Sequence, residues 1–407
     1  MTKDSITLLR QNRHLRSLVA SRAVSSAGTW LAYVALTVDV YSRTRSSVWV
    51  SAVLLAEFLP TVAVATVLGP WLDRLPRRTL LVGSELAAGV AFAALPFAPG
   101  AAAVVGLALV AGCAGAVFYP TLRATLPRLV EPELLPSANA LSQTAGTSGM
   151  AAGPALAGLL IAATGVSVPY ALNACSFALS ALLLAQLPVA PAREQAAANE
   201  PRYWQTVTAG IRAYLASGPL QSVVRTWMLA SVGGAIVNVG EIVLAQQTFH
   251  AGTIGYGVLA SASGSGLVAG SALSSRMGAD TGQRACRIGL VLFMAGFGAA
   301  AVAPSIWVAA ACVVAGGVGN AILLAATTLL VQQATDDQTR GHAFAIFDSA
   351  GFVALGAGMA GSGVLIAAVG ARGAWLVAAG VCGLAAAATL LPSRTATPAF
   401  HPEPGTS

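Results

Sequence analysis

The sequence predicts an all-α polytopic membrane protein with about twelve transmembrane helices, arranged as two pseudo-symmetric six-helix bundles. Of its 407 residues, 56% are hydrophobic and only 9% are charged, whereas soluble globular chains carry roughly 25% charged residues. The apolar residues form continuous runs, and a helix needs about 20 such residues to cross the hydrocarbon core of a bilayer. Membrane β-strands alternate apolar and polar residues instead, so these runs favour helices.

Twelve apolar segments of suitable length follow one another along the chain. The predicted helices lie at 17–42, 47–70, 79–98, 101–122, 137–164, 167–188, 219–247, 253–275, 284–303, 306–331, 341–369 and 372–391. No small-residue cleavage site follows the basic N-terminus, so we expect the first segment to be a retained helix rather than a signal peptide. An even number of helices places both termini on the same side of the membrane.

The basic residues predict which side that is. With the N-terminus in the cytoplasm, only Arg43, Arg45 and Arg372, of 22 Lys and Arg residues, fall on the outer side. Cytoplasmic loops of membrane proteins carry an excess of Lys and Arg. We therefore expect a multi-pass protein of a bacterial inner membrane with both termini in the cytoplasm. The net charge of +7 is interpreted as a topology signal rather than as a nucleic-acid-binding surface.

One long polar connection divides the chain. Its second part, from Tyr203 to Leu215, has apolar residues at three-to-four-residue spacing, which is typical of an amphipathic helix on the membrane surface. The sequence therefore predicts an N-terminal bundle at 1–190, a cytoplasmic linker at 191–218, and a C-terminal bundle with a short cytoplasmic tail at 219–407.

The loop after the second predicted helix contains a glycine, an aspartate and three arginines: Gly69, Asp73, Arg74, Arg77 and Arg78. This pattern resembles the loop motif of the major facilitator superfamily, with Pro76 where that family usually has glycine. Glycine lets two helices approach closely, and an aspartate is stabilised by the positive N-terminus of a neighbouring helix. The resemblance implies a gate at the cytoplasmic side. The alternative is a plain basic loop whose arginines contact lipid phosphates.

The fifth predicted helix contains Gly149, Gly153, Pro154 and Gly158. These residues resemble the antiporter motif that marks exporters within the same superfamily. Small residues at four-residue spacing allow close helix contact, and proline removes a backbone donor and kinks a helix. Generic small-residue packing is the alternative interpretation.

Three further stretches narrow the resemblance. Residues 121–130, 135–141 and 209–215 are similar to the branch that holds macrolide-efflux and enterobactin-type siderophore exporters. The resemblance implies a secondary active exporter of small organic molecules, such as amphiphilic drugs, natural products or siderophores, with a role in multidrug resistance. It also implies alternating access and proton antiport. An arginine motif in the fourth helix of many proton-coupled relatives is absent, because Arg123 lies at the cytoplasmic end of that helix instead.

Acidic residues inside apolar segments are candidates for proton coupling: Glu57, Asp348, Glu85, Asp39 and Glu241. A charged side chain is costly at membrane depth and therefore indicates function by default. Glu57 is expected near mid-membrane from its distance to Gly69 at ~1.5 Å per residue. Glu85 has the alternative of pairing with the basic cluster at Arg78. Asp39 and Glu241 have the alternative of being solvated or gating residues at outer helix ends, where Asp39 has Arg43 at pairing distance along the helix.

Substrate contacts are expected from polar and aromatic residues at mid-depth, namely Trp30, Tyr33, Asn173, Asn238 and Asn320. Packing or lipid-facing roles are the alternative for each of them. With a single lysine, Lys3, the chain does not form a nucleotide-binding loop, and it has no nucleophile–base pair and no metal-ligand cluster. We therefore expect a protein that is not an enzyme and that uses neither a metal nor a cofactor.

The expected partners are a small-molecule substrate, protons and membrane lipids, with no nucleic acid, and a monomer is sufficient for the fold. Other functions stay open at this point. An importer or an uncoupled uniporter of the same fold fits most of these features, and so does a membrane sensor that transports nothing.

Overall fold

The computed structural model describes residues 8–67, 75–188, 214–215, 217–335 and 337–389, and these residues contain helices, turns and short connections but no β-strand. The first group of helices comprises α1 (Arg13–Thr44), α2 (Ser47–Val67), α3 (Arg77–Ala94), α4 (Ala101–Thr125), α5 (Leu135–Thr147), α6 (Gly153–Thr164) and α7 (Ser167–Leu184). The second group comprises α8 (Gly218–Val243), α9 (Gly252–Ser274), α10 (Gly282–Val302), α11 (Ile306–Gln333) and α12 (Asp337–Ala388).

The helices are long and apolar enough for a membrane protein. In the described part of the chain, eight helices meet the length and hydropathy of a membrane span, and Ser47–Thr61 and Gly153–Thr164 are shorter apolar helices. The most apolar of the eight, Ala101–Arg128, buries only 33% of its most hydrophobic window inside the protein. Exposed apolar helix faces of this kind need lipid rather than water around them. The predicted all-α polytopic membrane fold is thereby confirmed.

The prediction of one continuous fifth helix at 137–164 is wrong. The chain forms α5, then a turn at 148–152, and then α6. Pro154 lies in the first turn of α6, where its missing N–H removes no helical hydrogen bond. The same ring is incompatible with a continuous helix through this position, and the adjacent glycines lower the cost of the turn.

The last two predicted helices, 341–369 and 372–391, are joined at a single residue. The helical segment α12 extends from Asp337 to Ala388 and consists of two helices that meet at Gly370, whose φ of 73° and ψ of 169° are not helical. Glycine adopts positive φ without a Cβ clash, so one residue reverses the chain direction within the short gap that the sequence predicts between 369 and 372.

Each group of helices packs mainly on itself. In the first group α1 contacts α7, and α4 contacts both α2 and α3; in the second, α8 contacts α12, and α11 contacts both α9 and α10. The two groups meet where α2 packs on α12 and where α6 packs on α9. The predicted bundle boundaries at 190 and 218 stay a prediction, and residues 191–213 of the predicted linker lie outside the described residues.

Contacts between the groups occur at several levels of the helices. The Ser47 hydroxyl at the start of α2 donates to the Gly363 carbonyl at 2.7 Å, and the ring centres of Phe58 on α2 and Phe352 on α12 lie 5.5 Å apart. The Ala155 N–H of α6 donates to the Ser261 hydroxyl of α9 at 2.8 Å. The sequence predicts that the Ser47 end of α2 faces outward. Toward the other end, the described side chain of Arg123 is exposed.

Candidate functional site

One cavity of the described structure has a volume of about 290 Å³ and is lined mainly by α1, α2, α3 and α4. Asn238 of α8 and Met359 of α12 complete its wall, so both groups of helices contribute. Two acidic side chains, Glu57 and Glu85, line this one space. The structure thus brings together two residues that the sequence proposed separately.

Aromatic rings form much of the remaining wall: Tyr33, Phe58, Phe92, Phe118, Tyr119 and Phe177. Hydroxyl groups are contributed by Ser25, Thr29, Thr61 and Ser84. The described lining includes no lysine or arginine. The cavity is therefore aromatic and apolar, with a small number of polar groups and two carboxyl groups, a combination typical of small-molecule sites.

Glu85 is held on α3 by contacts with α1. The Ser25 hydroxyl donates to Glu85 Oε1 at 3.4 Å. Glu85 Oε2 and the Ser180 hydroxyl form no hydrogen bond of good geometry among the described residues, but the two groups are close enough to interact. The side chain of Glu85 is only 2% exposed. The cation within electrostatic reach of this carboxyl is Arg22, so the alternative pairing of Glu85 with Arg78 is not supported.

Arg22 projects from α1 toward α4. Its guanidinium lies 4.6 Å from the centre of the Tyr119 ring, a cation–π distance. A Cβ on Gly146 of α5 would lie 2.7 Å from the same guanidinium, so the glycine leaves room for it. The place of Arg22 beside the cavity depends on tertiary packing, which the sequence alone does not specify.

Glu57 is positioned by close contact between α2 and α4. A Cβ added to Gly112 would lie 2.5 Å from the Glu57 carbonyl oxygen, so the two helix backbones touch at this level. No hydrogen bond to the Glu57 carboxyl occurs among the described residues. The glycine therefore brings a carboxyl-bearing turn of α2 against α4 and leaves the carboxyl itself in the cavity wall.

Tyr33 connects the cavity to the second group of helices. Its hydroxyl donates a hydrogen bond to Asn238 Oδ1, and both residues line the cavity. Glu241 lies one turn further along α8, is 5% exposed, and accepts a hydrogen bond from the Ser263 hydroxyl at 3.2 Å. Tyr33 is within electrostatic reach of both Glu57 and Glu241.

Glu241 does not line the cavity, and the predicted alternative of a solvated residue is wrong because the side chain is buried. A five-residue π-helical segment, Leu244–Thr248, follows it directly. Such segments are rare and frequently occur at functional sites. The hydroxyl of Tyr256 is near Glu241, Thr37 and Tyr33 but forms no hydrogen bond of good geometry among the described residues.

Asp39 belongs to a separate cluster. Arg43 Nε lies 2.7 Å from Asp39 Oδ1, which confirms the predicted pairing, and the Tyr170 hydroxyl of α7 donates to Asp39 Oδ2 at 3.2 Å. Arg43 also donates to the Ala98 carbonyl at 2.9 Å. Asp39 is 3% exposed, so the solvated alternative is wrong for it. The cluster ties α1 to α7 and to the end of α3, outside the cavity.

Asp348 lies on α12, outside the described cavity lining, and its side chain is exposed. Arg123 of α4 is within electrostatic reach of it. These two residues come from different groups of helices, and the groups touch one turn further along α12, where the ring centres of Phe352 and Phe58 lie 5.5 Å apart.

Three of the predicted substrate contacts lie elsewhere than in the described lining: Trp30, Asn173 and Asn320. Trp30 packs on α6, where a Cβ added to Gly153 would lie 2.9 Å from the Cβ of Trp30. Asn173 is fully buried, and its side-chain carbonyl oxygen accepts a hydrogen bond from the Ser176 hydroxyl at 3.2 Å. Asn320 on α11 is half-buried.

The motif at Gly149 to Gly158 lies at a contact between the two groups. A Cβ on Gly158 would lie 2.7 Å from the Thr253 carbonyl oxygen and 3.2 Å from Gly257 Cα. A Cβ on Gly257 would in turn lie 2.5 Å from the Pro154 carbonyl oxygen. Helices α6 and α9 therefore touch through glycine faces.

Most of the predicted gate motif, namely Gly69, Asp73 and Arg74, lies outside the described residues. Arg77 Nη1 donates to the Ala124 carbonyl of α4. Arg77 and Arg78 line a crevice of about 70 Å³ together with Arg128. The described arginines of the motif thus lie against the end of α4.

Sequence reasoning missed several residues of the cavity. Ser25 and Thr29 line it beside the predicted Tyr33, and the four-residue spacing of these three residues on α1 is a signal for one polar helix face. Phe118 and Tyr119 on α4 carry no such signal, because aromatic residues in an apolar helix look the same whether they face a cavity, a neighbour or lipid.

Comparisons with known proteins agree on the type of protein. The family described as transmembrane secretion effector matches residues 5–403. An MFS-type transporter of Bacillus subtilis strain 168, YfiS, is 26% identical over 384 residues, which cover 91% of each chain.

Solved structures of transporters share the fold. An inward-facing bacterial homologue of the human lysosomal transporter Spinster superposes with a TM-score of 0.74 at 13% identity, covering 97% of this chain and 98% of the other. A mutant form of the nucleoside transporter NupG superposes with a TM-score of 0.74 at 16% identity, covering 93% and 99%. A bacterial homologue of the iron transporter ferroportin gives 0.65 at 17% identity, covering 92% and 98%. At these identities the likeness is one of fold.

Proposed function

The chain belongs to the transmembrane secretion effector family of the major facilitator superfamily, and on that premise we propose that it exports small organic molecules in exchange for protons. It is a multi-pass membrane transporter and not an enzyme, in agreement with the sequence-based expectation. The proposal adds direction, coupling and substrate type. It also places the protein in a bacterial inner membrane with both termini in the cytoplasm, as the distribution of arginines favours.

The observation that carries the proposal is the pair of carboxyl side chains, Glu57 and Glu85, in one aromatic cavity. A carboxylate inside a membrane-spanning bundle is costly and persists where it has a role. The poorly paired Glu85 oxygen is free to take a proton or a ligand donor. If substrate binds in the same cavity, the carboxyl groups of Glu57 and Glu85 can hold either protons or substrate, but not both at once.

Alternating access supplies the exchange cycle. Substrate enters the cavity from the cytoplasm or the inner leaflet while the carboxyl groups are ionised, and the helix groups then rearrange to expose the cavity outward. Protons from the outer side replace the substrate at Glu57 and Glu85 and favour the return of the empty carrier. Asp348 and Glu241, outside the cavity lining, are further candidates for carrying charge in this cycle.

The direction of transport is supported by the Gly153-Pro154 motif, which resembles that of exporters. In this fold the motif lies where α6 touches α9, so it controls a contact between the two helix groups. The proposed role of Asp73 with Arg74, Arg77 and Arg78 is to close the cytoplasmic side when the cavity faces outward. The arginines at this face also suit contacts with anionic lipid headgroups, and a monomer provides the whole cavity.

The test is transport in proteoliposomes that contain the purified chain, with a panel of fluorescent amphiphiles as substrates. An imposed inward-acidic gradient is expected to drive their uptake into vesicles through inverted protein, with alkalinisation of the lumen. Glu57→Gln and Glu85→Gln are each expected to lower this driven flux about tenfold or more, because a neutral amide neither binds nor releases a proton.

The matched control is Glu133→Gln, since Glu133 is exposed in the connection between α4 and α5. Flux without any proton movement would indicate a uniporter, and flux in the opposite direction an importer. Either result would overturn the proposed antiport.

A further inference from the structure

The proposed export function leaves the chemical class of the substrate open between amphiphilic drugs and siderophore-like anions. Resting on that proposed function, we infer that the cavity selects organic cations: molecules with one protonated amine or quaternary centre and an aromatic or apolar body. Four features of the cavity support this inference, namely its charge, a poorly paired acceptor, its aromatic rings and its size.

The charge of the cavity is the first feature. Its described lining contains two carboxyl groups and no lysine or arginine. Charges that are close together interact more strongly in a protein site than in water. Attraction to the two carboxyl groups favours a cation, and repulsion from them disfavours a carboxylate- or catecholate-bearing ligand. Arg22 lies beside the cavity over Tyr119 and is within electrostatic reach of Glu85, but it is not part of the described lining, so an anion there has no positive group in the wall to offset its loss of hydration.

The poorly paired acceptor is the second feature. Glu85 Oε2 is buried and forms no hydrogen bond of good geometry among the described residues, although the Ser180 hydroxyl is close to the carboxyl; Oε1 receives only the 3.4 Å contact from Ser25. A buried acceptor that is poorly paired carries a desolvation cost, which is larger when the acceptor is charged. A substrate with an N⁺–H group would satisfy this oxygen by a charge-assisted hydrogen bond.

The aromatic rings are the third feature. Rings from five different helices line the cavity, with Tyr33, Phe58, Phe92, Tyr119 and Phe177 as one example from each. A cation over an aromatic ring is attracted to it, most strongly when the cation is desolvated. One ring of the lining already holds a cation in this way, because the Arg22 guanidinium lies over Tyr119. The same walls accept the apolar body of the substrate.

The size of the cavity is the fourth feature. At about 290 Å³, it lies near the lower end of the ~300–1,000 Å³ that drug-sized ligands occupy. It suits a compact polycyclic or triaryl cation. The same two carboxyl groups then bind either the cation or protons, so the cation displaces protons from the site without any covalent step.

The test is equilibrium binding to the purified full-length chain in detergent, with two probes of the same shape and opposite charge. Tetraphenylphosphonium is the cationic probe and tetraphenylborate the anionic one. We expect the cation to bind and to release protons into a weakly buffered solution, and we expect the anion to bind at least tenfold more weakly, as lost charge pairing predicts. Equal or tighter binding of the anion would overturn the inference, and this comparison needs no variant.

The variants locate the site. Glu57→Gln and Glu85→Gln are each expected to weaken cation binding about 10- to 100-fold, the loss of one charged contact, whereas Glu133→Gln is expected to leave it unchanged. Monodisperse elution of each variant shows that it is folded. Unchanged cation binding in both cavity variants would also overturn the inference. Binding of the cation without proton-driven flux in proteoliposomes would overturn the proposed antiport alone and leave the ligand class standing.

Discussion

The hydroxyl of Tyr33 on α1 donates a hydrogen bond to the amide oxygen of Asn238 on α8, and this bond joins the two groups of helices across the cavity. Each residue also lines the space that contains Glu57 and Glu85. Any motion that separates α1 from α8 at this level has to break the bond. The contact is therefore placed to link the content of the cavity to the arrangement of the helices.

Loss of this hydrogen bond is expected to shift the equilibrium from the observed arrangement toward one in which the two helix groups are separated. Tyr33→Phe and Asn238→Ala each remove about 1 kcal/mol of net hydrogen bonding, which corresponds to about a fivefold shift in a two-state equilibrium. The readout is the reaction of a thiol probe with Ser51→Cys, in a background in which alanine replaces the natural cysteines. Ser51 is 3% exposed and lies against Gly363, so it reacts only when the groups separate.

We expect thiol modification about fivefold faster in both variants, in line with that shift. Ser231→Ala is the matched control, because the Ser231 hydroxyl on α8 donates within its own helix, to the Trp227 carbonyl at 2.8 Å. Unaltered modification rates in both Tyr33→Phe and Asn238→Ala would mean that the bond does not hold the groups together.

The glycine contact between α6 and α9 gives a second prediction. Gly257→Ala places a Cβ 2.5 Å from the Pro154 carbonyl oxygen, a distance that the two backbones accommodate only by moving apart. The variant is expected to open the contact, to speed thiol modification of Ser51→Cys, and to lower transport about tenfold, since overpacking costs about 1–3 kcal/mol.

Gly106→Ala is the control for this substitution. Gly106 is also inside a helix, α4, and a Cβ there has nothing within 4 Å, so alanine is expected to be neutral or to stabilise the helix by ~0.5–1 kcal/mol. Wild-type flux and thiol reactivity in Gly257→Ala would show that close approach at this point is dispensable.

The helices are predicted well from the sequence because long apolar runs leave few alternatives. The prediction fails at one break, which has a local physical reason. Pro154 interrupts a run that hydropathy alone predicts as one helix. The break at Gly370 lies in the gap that the sequence predicts, but the reversal in one residue was not predicted. Composition over a window does not resolve a single residue with special backbone freedom.

The site was predicted in part. Depth along a helix identified Glu57, Tyr33 and Asn238, and all three line the cavity. Depth also selected Trp30, which faces α6 instead, because residues at one level point in different directions around a helix. Which direction meets a cavity depends on how distant helices pack, as the approach of Gly112 to α2 illustrates, and one sequence does not specify that packing.

Asp39 is expected to stabilise the fold rather than to carry protons. Asp39→Asn weakens the contacts with Arg43 and Tyr170, and loss of charged hydrogen bonds at a buried site costs about 1–3 kcal/mol. Arg43 is 31% exposed on its side chain, so solvent screening keeps the cost toward the lower end. We expect the apparent Tm in detergent to fall by a few degrees, with proton-driven flux within about twofold of wild type.

Asp280→Asn serves as the control, because Asp280 is exposed and no change in Tm is expected from it. If Asp39→Asn had a normal Tm but no proton-driven flux, the stabilising role proposed for Asp39 would be wrong, and Asp39 would again be a proton-coupling candidate.

Arg123 and Asp348 provide the last prediction, because they are charged residues of opposite sign on different helix groups. Their side chains are exposed, yet they are within electrostatic reach of each other. An attraction at this end favours approach of α4 and α12, the movement that would close the cavity on the predicted cytoplasmic side. Exposed ion pairs contribute only about 0.2–1 kcal/mol. Reversing the charge of one of the two residues is therefore expected to lower flux modestly, about two- to fivefold.

A charge swap separates this attraction from other roles of the two residues. Arg123→Asp and Asp348→Arg each place like charges opposite one another and are expected to lower flux, while the double variant restores the attraction and most of the flux. High salt is expected to shrink all three differences, because screening acts on exposed charges. Additive losses in the double variant would mean that the two residues act independently. In that case Asp348 would again be a candidate for carrying a proton by itself.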